Sequence, residues 1–213
     1  VVDWSLAVID DFKRVGEQIH SSNAVFCEFA AGVDTDDGEL VLQGGAVASA
    51  PLKGLLKASA QSGQLTFGVR FKSDTDKRPR WPGVVASVVR GDHSGRTFAR
   101  VLWRGKNLFT SIRLNPFENT STSISKRVSD RYHEVVIVYD GEWQTTWFDG
   151  EAVGFERTLL DPPAAQDILT LELGWRKDDR WQPFRGRIDS IVIAGEAVQA
   201  SEIASLFNGG AQQ

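Results

Sequence analysis

The chain has 213 residues, a formal net charge of −4 and one cysteine. A chain of this size buries enough surface to hold a core without a disulfide or metal, and its charge excludes a general nucleic-acid binder. No run approaches the roughly 18 apolar residues of a membrane-spanning helix.

The sequence begins at Val1 and contains no Met, as expected of a processed or excised piece, and it carries no signal-peptide pattern. In the first twenty residues Trp4, Val8, Phe12, Val15 and Ile19 recur at steps of four, four, three and four. That spacing predicts an amphipathic helix within an N-terminal extension over 1–24, with Asp3 as its cap. Such a helix either covers the main domain or connects it to an upstream one. The run Val25-Phe26-Cys27-Glu28-Phe29 opens a second region, 25–213, and predicts a buried, inert thiol for Cys27.

From there the pattern is β. Leu65, Phe67, Val69 and Phe71 alternate with Thr66, Gly68 and Arg70. Further strands are predicted over Val84–Arg90, Thr97–Trp103, Leu108–Leu114, Tyr132–Tyr139, Glu142–Phe148, Ile168–Leu173 and Arg187–Ile193. Many short strands without intervening helices imply an all-β antiparallel sandwich or barrel. Two Asp-Gly pairs, Asp140-Gly141 and Asp149-Gly150, predict type I′ turns and a three-stranded meander. At the end Ile203, Leu206 and Phe207 share one side of a short helix predicted over Ala200–Phe207, stopped by Asn208-Gly209-Gly210.

The order of these pieces is specific. It reads Tyr132-His133-Glu134-Val135 through Tyr139-Asp140-Gly141, then Trp147-Phe148-Asp149-Gly150, Leu171-Glu172-Leu173-Gly174 and Phe184-Arg185-Gly186-Arg187-Ile188-Asp189. A closing segment runs from Ala197 to Phe207. This resembles the concanavalin A-like jelly rolls of the laminin-G-like superfamily, most closely over 130–207. Tyr132 stands where Trp is usual, and Gln199 where a Ser helix cap is usual. The resemblance implies two antiparallel sheets packed face to face. It implies no single activity, because this fold hosts glycan-binding and adhesion modules as well as glucanases and polysaccharide lyases.

The residues narrow that choice. Retaining glycosidases of this fold place carboxylates at E-x-D-x-E spacing on one strand face, and no Glu here has that spacing. Lyases of the fold pair a Tyr with a His. The two Tyr, Tyr132 and Tyr139, lie in one strand, and His133 reads as a hydrogen-bonded sheet histidine. His93 with nearby Arg is the remaining lyase option. His20, His93 and His133 lack metal-ligand spacing. Arg90-Gly91-Asp92 and Asn119-Thr120-Ser121 match an adhesion tripeptide and a glycosylation acceptor, both weak signals.

Two loops combine cations with indole rings. Arg78, Arg80 and Trp81 lie in one; Trp175, Arg176, Arg180 and Trp181 lie in the other. Guanidinium forks pair with carboxylate or sulfate, and Trp stacks on a sugar face, so together these residues suit an acidic glycan. The plainer reading is two solvated loops. Asp34, Asp36 and Asp37 precede Gly38, an acidic turn with calcium character but too few ligands on its own.

The sequence thus leads to a non-catalytic binding or adhesion module for a polysaccharide or glycoprotein, requiring no cofactor beyond a weak calcium candidate. It would belong to a larger secreted or envelope protein, extracellular or periplasmic. The alternatives are a divergent hydrolase or lyase of the same fold and a structural protein-interaction domain.

Overall fold

The computed structural model describes residues 7–49, 52, 62–74, 83–90, 96–104, 107–112, 120–124, 130–157, 169–175 and 182–207. Strands dominate them. In chain order these are β1 (Ala7–Ile9), β2 (Lys13–Val15), β3 (Gln18–His20), β4 (Val25–Ala30), β5 (Val33–Asp36), β6 (Glu39–Gln43) and β7 (Ala46–Ser49). Then come β8 (Leu65–Ser73), β9 (Gly83–Arg90), β10 (Arg96–Arg104), β11 (Asn107–Ile112), β12 (Thr120–Ile124), β13 (His133–Tyr139) and β14 (Trp143–Phe148). The last are β15 (Glu151–Arg157), β16 (Leu169–Leu173), β17 (Gln182–Pro183) and β18 (Arg185–Ala194).

They form two sheets. Sheet I runs β15-β14-β13-β8-β18-β6-β5, with β1 added along β18. Sheet II runs β12-β11-β10-β9-β16-β7-β4-β3-β2, with β17 beside β9. The β17 pairing is parallel and the strands along both paths are antiparallel. This is the expected jelly-roll-like sandwich. Non-consecutive neighbours such as β8 between β13 and β18 make it a non-local fold, so sequence periodicity shows the strands but not their partners.

Period-two burial builds the core between the sheets. Leu65, Phe67, Val69 and Phe71 of β8 meet Val88, Val101, Leu108, Leu171 and Leu173 of sheet II. Phe184 stands in the middle, with its ring centroid 5.8 Å from Phe71 and 6.4 Å from Trp103, edge-on to both. Gly186 follows it because a Cβ there would sit 2.1 Å from the Lys72 carbonyl oxygen. Polar groups also cross the sandwich near one edge. Thr110 and Thr146 hydroxyls are 2.9 Å apart, and Ile112 N donates to Gln144 Oε1. At the opposite edge Arg14 of β2 reaches over to β5, donating to the Val33 carbonyl at 2.5 Å.

A second apolar cluster lies on the outer face of sheet I. Val136, Val138 and Val192 are covered there by Ile203, Leu206 and Phe207. Those three are the residues the closing pattern puts on one side, but the element is a 3-10 turn over Ile203–Ser205 rather than an α-helix. One turn suffices to bring i, i+3 and i+4 to one side, so the apolar spacing alone does not demand a longer element.

The N-terminal helix does not form either. Residues 7–20 make β1, β2 and β3, which pair with β18, each other and β4. Asp11 and Gly16 take left-handed φ values of 52° and 61° and turn the chain twice. Ala7 and Ile9 face the core with Phe12, while Val15, which a helix would bury, is 56% exposed. The helical spacing of Phe12 and Ile19 is met by two separate strands or turns dipping into one core. Cys27 is exposed, because β4 turns Phe26 inward and the thiol outward.

Among the described residues no helix is long and apolar enough to cross a membrane.

Candidate functional site

The meander β13-β14-β15 positions most of the chemistry on sheet I. Its second turn is the expected one: Phe148 pairs with Glu151, and Asp149 and Gly150 have φ of 49° and 79°. The first differs. Asp140 stays out of the left-handed region and only Gly141 enters it, with φ 105°. The Asp140 carboxylate explains this, since Oδ1 accepts from Glu142 N and Trp143 N at 2.9 and 2.8 Å, an Asx turn that moves the bend one residue on.

Asp149 does more than turn. Its Oδ1 accepts from Glu134 N at 2.9 Å, and its Oδ2 lies 2.9 Å from His133 Nδ1 and 3.1 Å from Arg131 Nη2. His133 is buried and stacks on Phe148 at 5.0 Å. An ionised carboxylate only accepts, so Nδ1 carries the proton. His133 is therefore the sheet histidine that its sequence position suggests.

Within β14 hydrophobicity and burial run opposite ways. Gln144 and Thr146 point into the core and are fully buried with Phe148, whereas Trp143 is 43% exposed. Thr145 and Trp147 share Trp143's outward face. Across the hairpin Trp143 pairs with Arg157 and Thr145 with Phe155, which is 67% exposed. Beside these rings Arg157 Nη2 meets Glu142 Oε1 at 2.7 Å.

Further across the same outer face is a polar network. Arg187 Nη1 donates to Asp36 Oδ2 at 2.9 Å and to Glu39 Oε2 at 3.0 Å. The Tyr132 hydroxyl donates to the other Glu39 oxygen. Burial first, then that bond and the Glu39 charge, hold the Tyr132 phenol far above its ordinary pKa. The bonds to Glu39 and then Asp36 likewise raise the Arg187 guanidinium. The Arg70 guanidinium lies 5.4 Å from the Tyr132 ring centroid and 3.6 Å from Asp189 Oδ2. Burial raises the Glu134 carboxyl, with Arg70 opposing and Asp149 and Asp189 adding to the rise.

Arg70 and Asp189 continue into a cleft of about 300 Å³. Val8 bounds it on β1, Asp10 and Asp11 just after β1, Asp37 and Gly38 at the β5–β6 turn, Ser190 on β18, and Phe207 on the closing segment. Phe12 N donates to the Gly38 carbonyl at 2.8 Å, which fixes two of these walls together. The cleft offers several carboxylate acceptors, one guanidinium donor and an apolar lining of Val8 and Phe207.

Arg78, Arg80, Trp81, Arg176, Arg180 and Trp181 lie outside the described residues. Trp175 lies just after β16, half-buried and stacked on Phe29 at 6.5 Å, and its buried indole nitrogen has no hydrogen-bond partner among the described residues. Of the acidic turn, Asp34 Oδ1 accepts from Thr35 N at 2.9 Å, Asp36 pairs with Arg187, and Asp37 faces the cleft. Among the described residues no group of three or more His, Cys, Asp or Glu side chains is placed to hold a metal ion. Sequence reasoning missed Trp143, Phe155, Arg70 and Asp189. The available signal was Trp-x-Thr-x-Trp over 143–147, a period-two aromatic face whose direction only the register decides.

A family model described as the concanavalin A-like lectin/glucanases superfamily matches residues 45–204. Among curated proteins no relative matches the chain. Solved structures with the same fold include the binding domain of botulinum neurotoxin DC in complex with SialylT, at TM-score 0.71 and 10% identity, with 96% of this chain and 51% of that one covered. The same toxin's binding domain in complex with rat synaptotagmin II gives TM-score 0.70 and 11% identity, covering 96% and 51%. Trypanosoma rangeli sialidase in complex with sialic acid gives TM-score 0.72 and 12% identity, covering 100% of this chain and 34% of the enzyme. The chain thus spans about half of the toxin domains and a third of the sialidase, and at these identities the likeness is one of fold.

Proposed function

Because the chain belongs to the concanavalin A-like lectin/glucanase superfamily, we propose that it is a non-catalytic module that recognises carbohydrate within a larger secreted or envelope protein. The observation that carries this reading is the cleft between β1, the β5–β6 turn, β8 and β18. It sets Asp10, Asp37, Asp189 and Arg70 around one space, with Val8 and Phe207 as apolar lining. A sugar ring carries many hydroxyl donors and acceptors around an apolar face, and this mixture of carboxylate acceptors, a guanidinium donor and apolar lining matches it. The structural neighbours add that this fold occurs in proteins solved with a sialylated or sialic acid ligand.

The acidic-glycan version rests on Arg78, Arg80, Trp81, Trp175, Arg176, Arg180 and Trp181. It predicts that Arg78→Ala with Arg80→Ala weakens binding to sulfated or uronate-rich chains and spares neutral ones.

The experiment is calorimetric titration of the chain with neutral, amino and acidic oligosaccharides, repeated on Asp189→Asn with Arg70→Ala. The expected result is saturable binding to one class, lost in the double variant at unchanged circular dichroism. Tight binding of a protein partner with no response to any glycan, or release of new reducing or unsaturated ends, would overturn it.

A further inference from the structure

We infer that the outer face of the β14–β15 hairpin is a second carbohydrate-binding surface, a stacking platform of Trp143 and Phe155 flanked by Glu142 and Arg157, which takes the apolar face of a pyranose ring. This rests on the reading that the module binds glycan, and it assigns a site separate from the cleft.

The apolar pattern of β14 is inverted. A one-residue change of register would bury Trp143 and Trp147 and expose Gln144 and Thr146. The fold does the reverse. It buries Gln144 and Thr146 completely and satisfies them with Ile112 N and the Thr110 hydroxyl on the facing sheet. A buried amide is costly unless so paired. The arrangement keeps Trp143 turned to solvent at 43% exposure.

The face also has the composition of a sugar platform. Trp143 and Phe155 are diagonal neighbours across the hairpin, within mutual reach of large side chains. With Val15 they are the exposed large apolar side chains among the described residues, and Val15 belongs to the other sheet. Their rim is charged: Arg157 and Glu142 meet at 2.7 Å with both side chains more than half exposed. An apolar protein surface closing over the rings would strip water from that ion pair without replacing its hydrogen bonds. A sugar replaces them, since its hydroxyls donate to Glu142 and accept from Arg157 while its C–H face lies on the rings. Trp147, on the same outward face, packs against the outer apolar cluster and anchors the strand beneath the platform.

The test is affinity electrophoresis and titration with the same oligosaccharide panel on the wild-type chain, Trp143→Ala with Phe155→Ala, and Trp143→Phe. The double variant is expected to melt with the wild type and to bind its glycan about tenfold more weakly, and Trp143→Phe to recover most of the loss. Ligand should also quench wild-type indole fluorescence more than that of Trp143→Phe. If wild type binds a glycan and the double variant binds it equally, while the cleft variant does not, the platform is overturned and the proposed function stands. If no glycan binds wild type, both fall. Concentration-dependent dimerisation that the double variant abolishes, without any glycan effect, assigns the face to a second copy of the chain and overturns the proposal.

Discussion

His133 and Asp149 stand sixteen residues apart in sequence and meet through Nδ1 and Oδ2 at 2.9 Å. The histidine is buried on β13, and the aspartate occupies a left-handed turn position at φ 49°. One side chain thereby ties the turn to the strand before it, since the same carboxylate holds Glu134 N and Arg131. The Asp-Gly pair at this turn serves folding in two ways, through its backbone and through its carboxylate.

Asp149→Ala should accordingly destabilise by about 2–3 kcal/mol, because it strands the His133 and Glu134 donors and strains the left-handed position. Asp149→Asn retains an acceptor and tolerates that backbone, and should cost about 1 kcal/mol. Urea unfolding of both variants checks the order. Equal losses would show that neither the retained acceptor nor the backbone matters.

Glu134 gives a pH signature. Burial raises its carboxyl above the ordinary value in the folded state, against the pull of Arg70. The folded chain then binds this proton more tightly than the unfolded chain, so the group favours folding at low pH. Its contribution is lost as pH rises from the ordinary carboxylate range through the raised value. Glu134→Gln should therefore be more stable than wild type at pH 7, by a small margin given its partial exposure to solvent. The difference should vanish below the ordinary carboxylate range. Melting temperatures from pH 3 to about 8 test this, and a gain that persists at the acid end would refute the assignment.

Divalent cations are expected to leave the fold unchanged. Of the acidic turn, Asp36 is already neutralised by Arg187, and Asp34 spends one oxygen on Thr35 N. A hard cation wants six or more oxygens from such a site. Melting in EDTA and in millimolar calcium should coincide. Arg187→Ala, which leaves Asp36 and Glu39 facing each other without their cation, should lower the melting temperature and make it rise again with calcium. A calcium shift in the wild type that Asp37→Asn removes would contradict this account.

Some of this was legible in the residues and some was not. Alternation over Leu65–Phe71 and the Asp149-Gly150 turn identify strands because both signals are local. The aromatic face of β14 was invisible for a related reason: hydrophobicity alone puts Trp143 and Trp147 inside, and only the pairing of Gln144 and Thr146 with the facing sheet reverses it. The cleft was equally hidden, since Asp10, Arg70 and Asp189 come from three strands or their ends, brought together by non-local pairing along β18. The N-terminal stripe misled because a four-residue step is shared by a helix and by strands separated by tight turns.

That last difference can be measured. A helix over the N-terminal residues would bury Phe12 and Val15 together, whereas the strands bury Phe12 at 1% exposure and leave Val15 at 56%. Phe12 also contacts Phe26, ring centroids 6.0 Å apart, deep between the sheets. Phe12→Ala should thus cost about 3–5 kcal/mol by opening a cavity. Val15→Thr should change stability by less than about 0.5 kcal/mol, as a surface β-branched exchange on an edge strand does. Guanidinium unfolding of the two variants separates the cases, and comparable losses would return the segment to a helix.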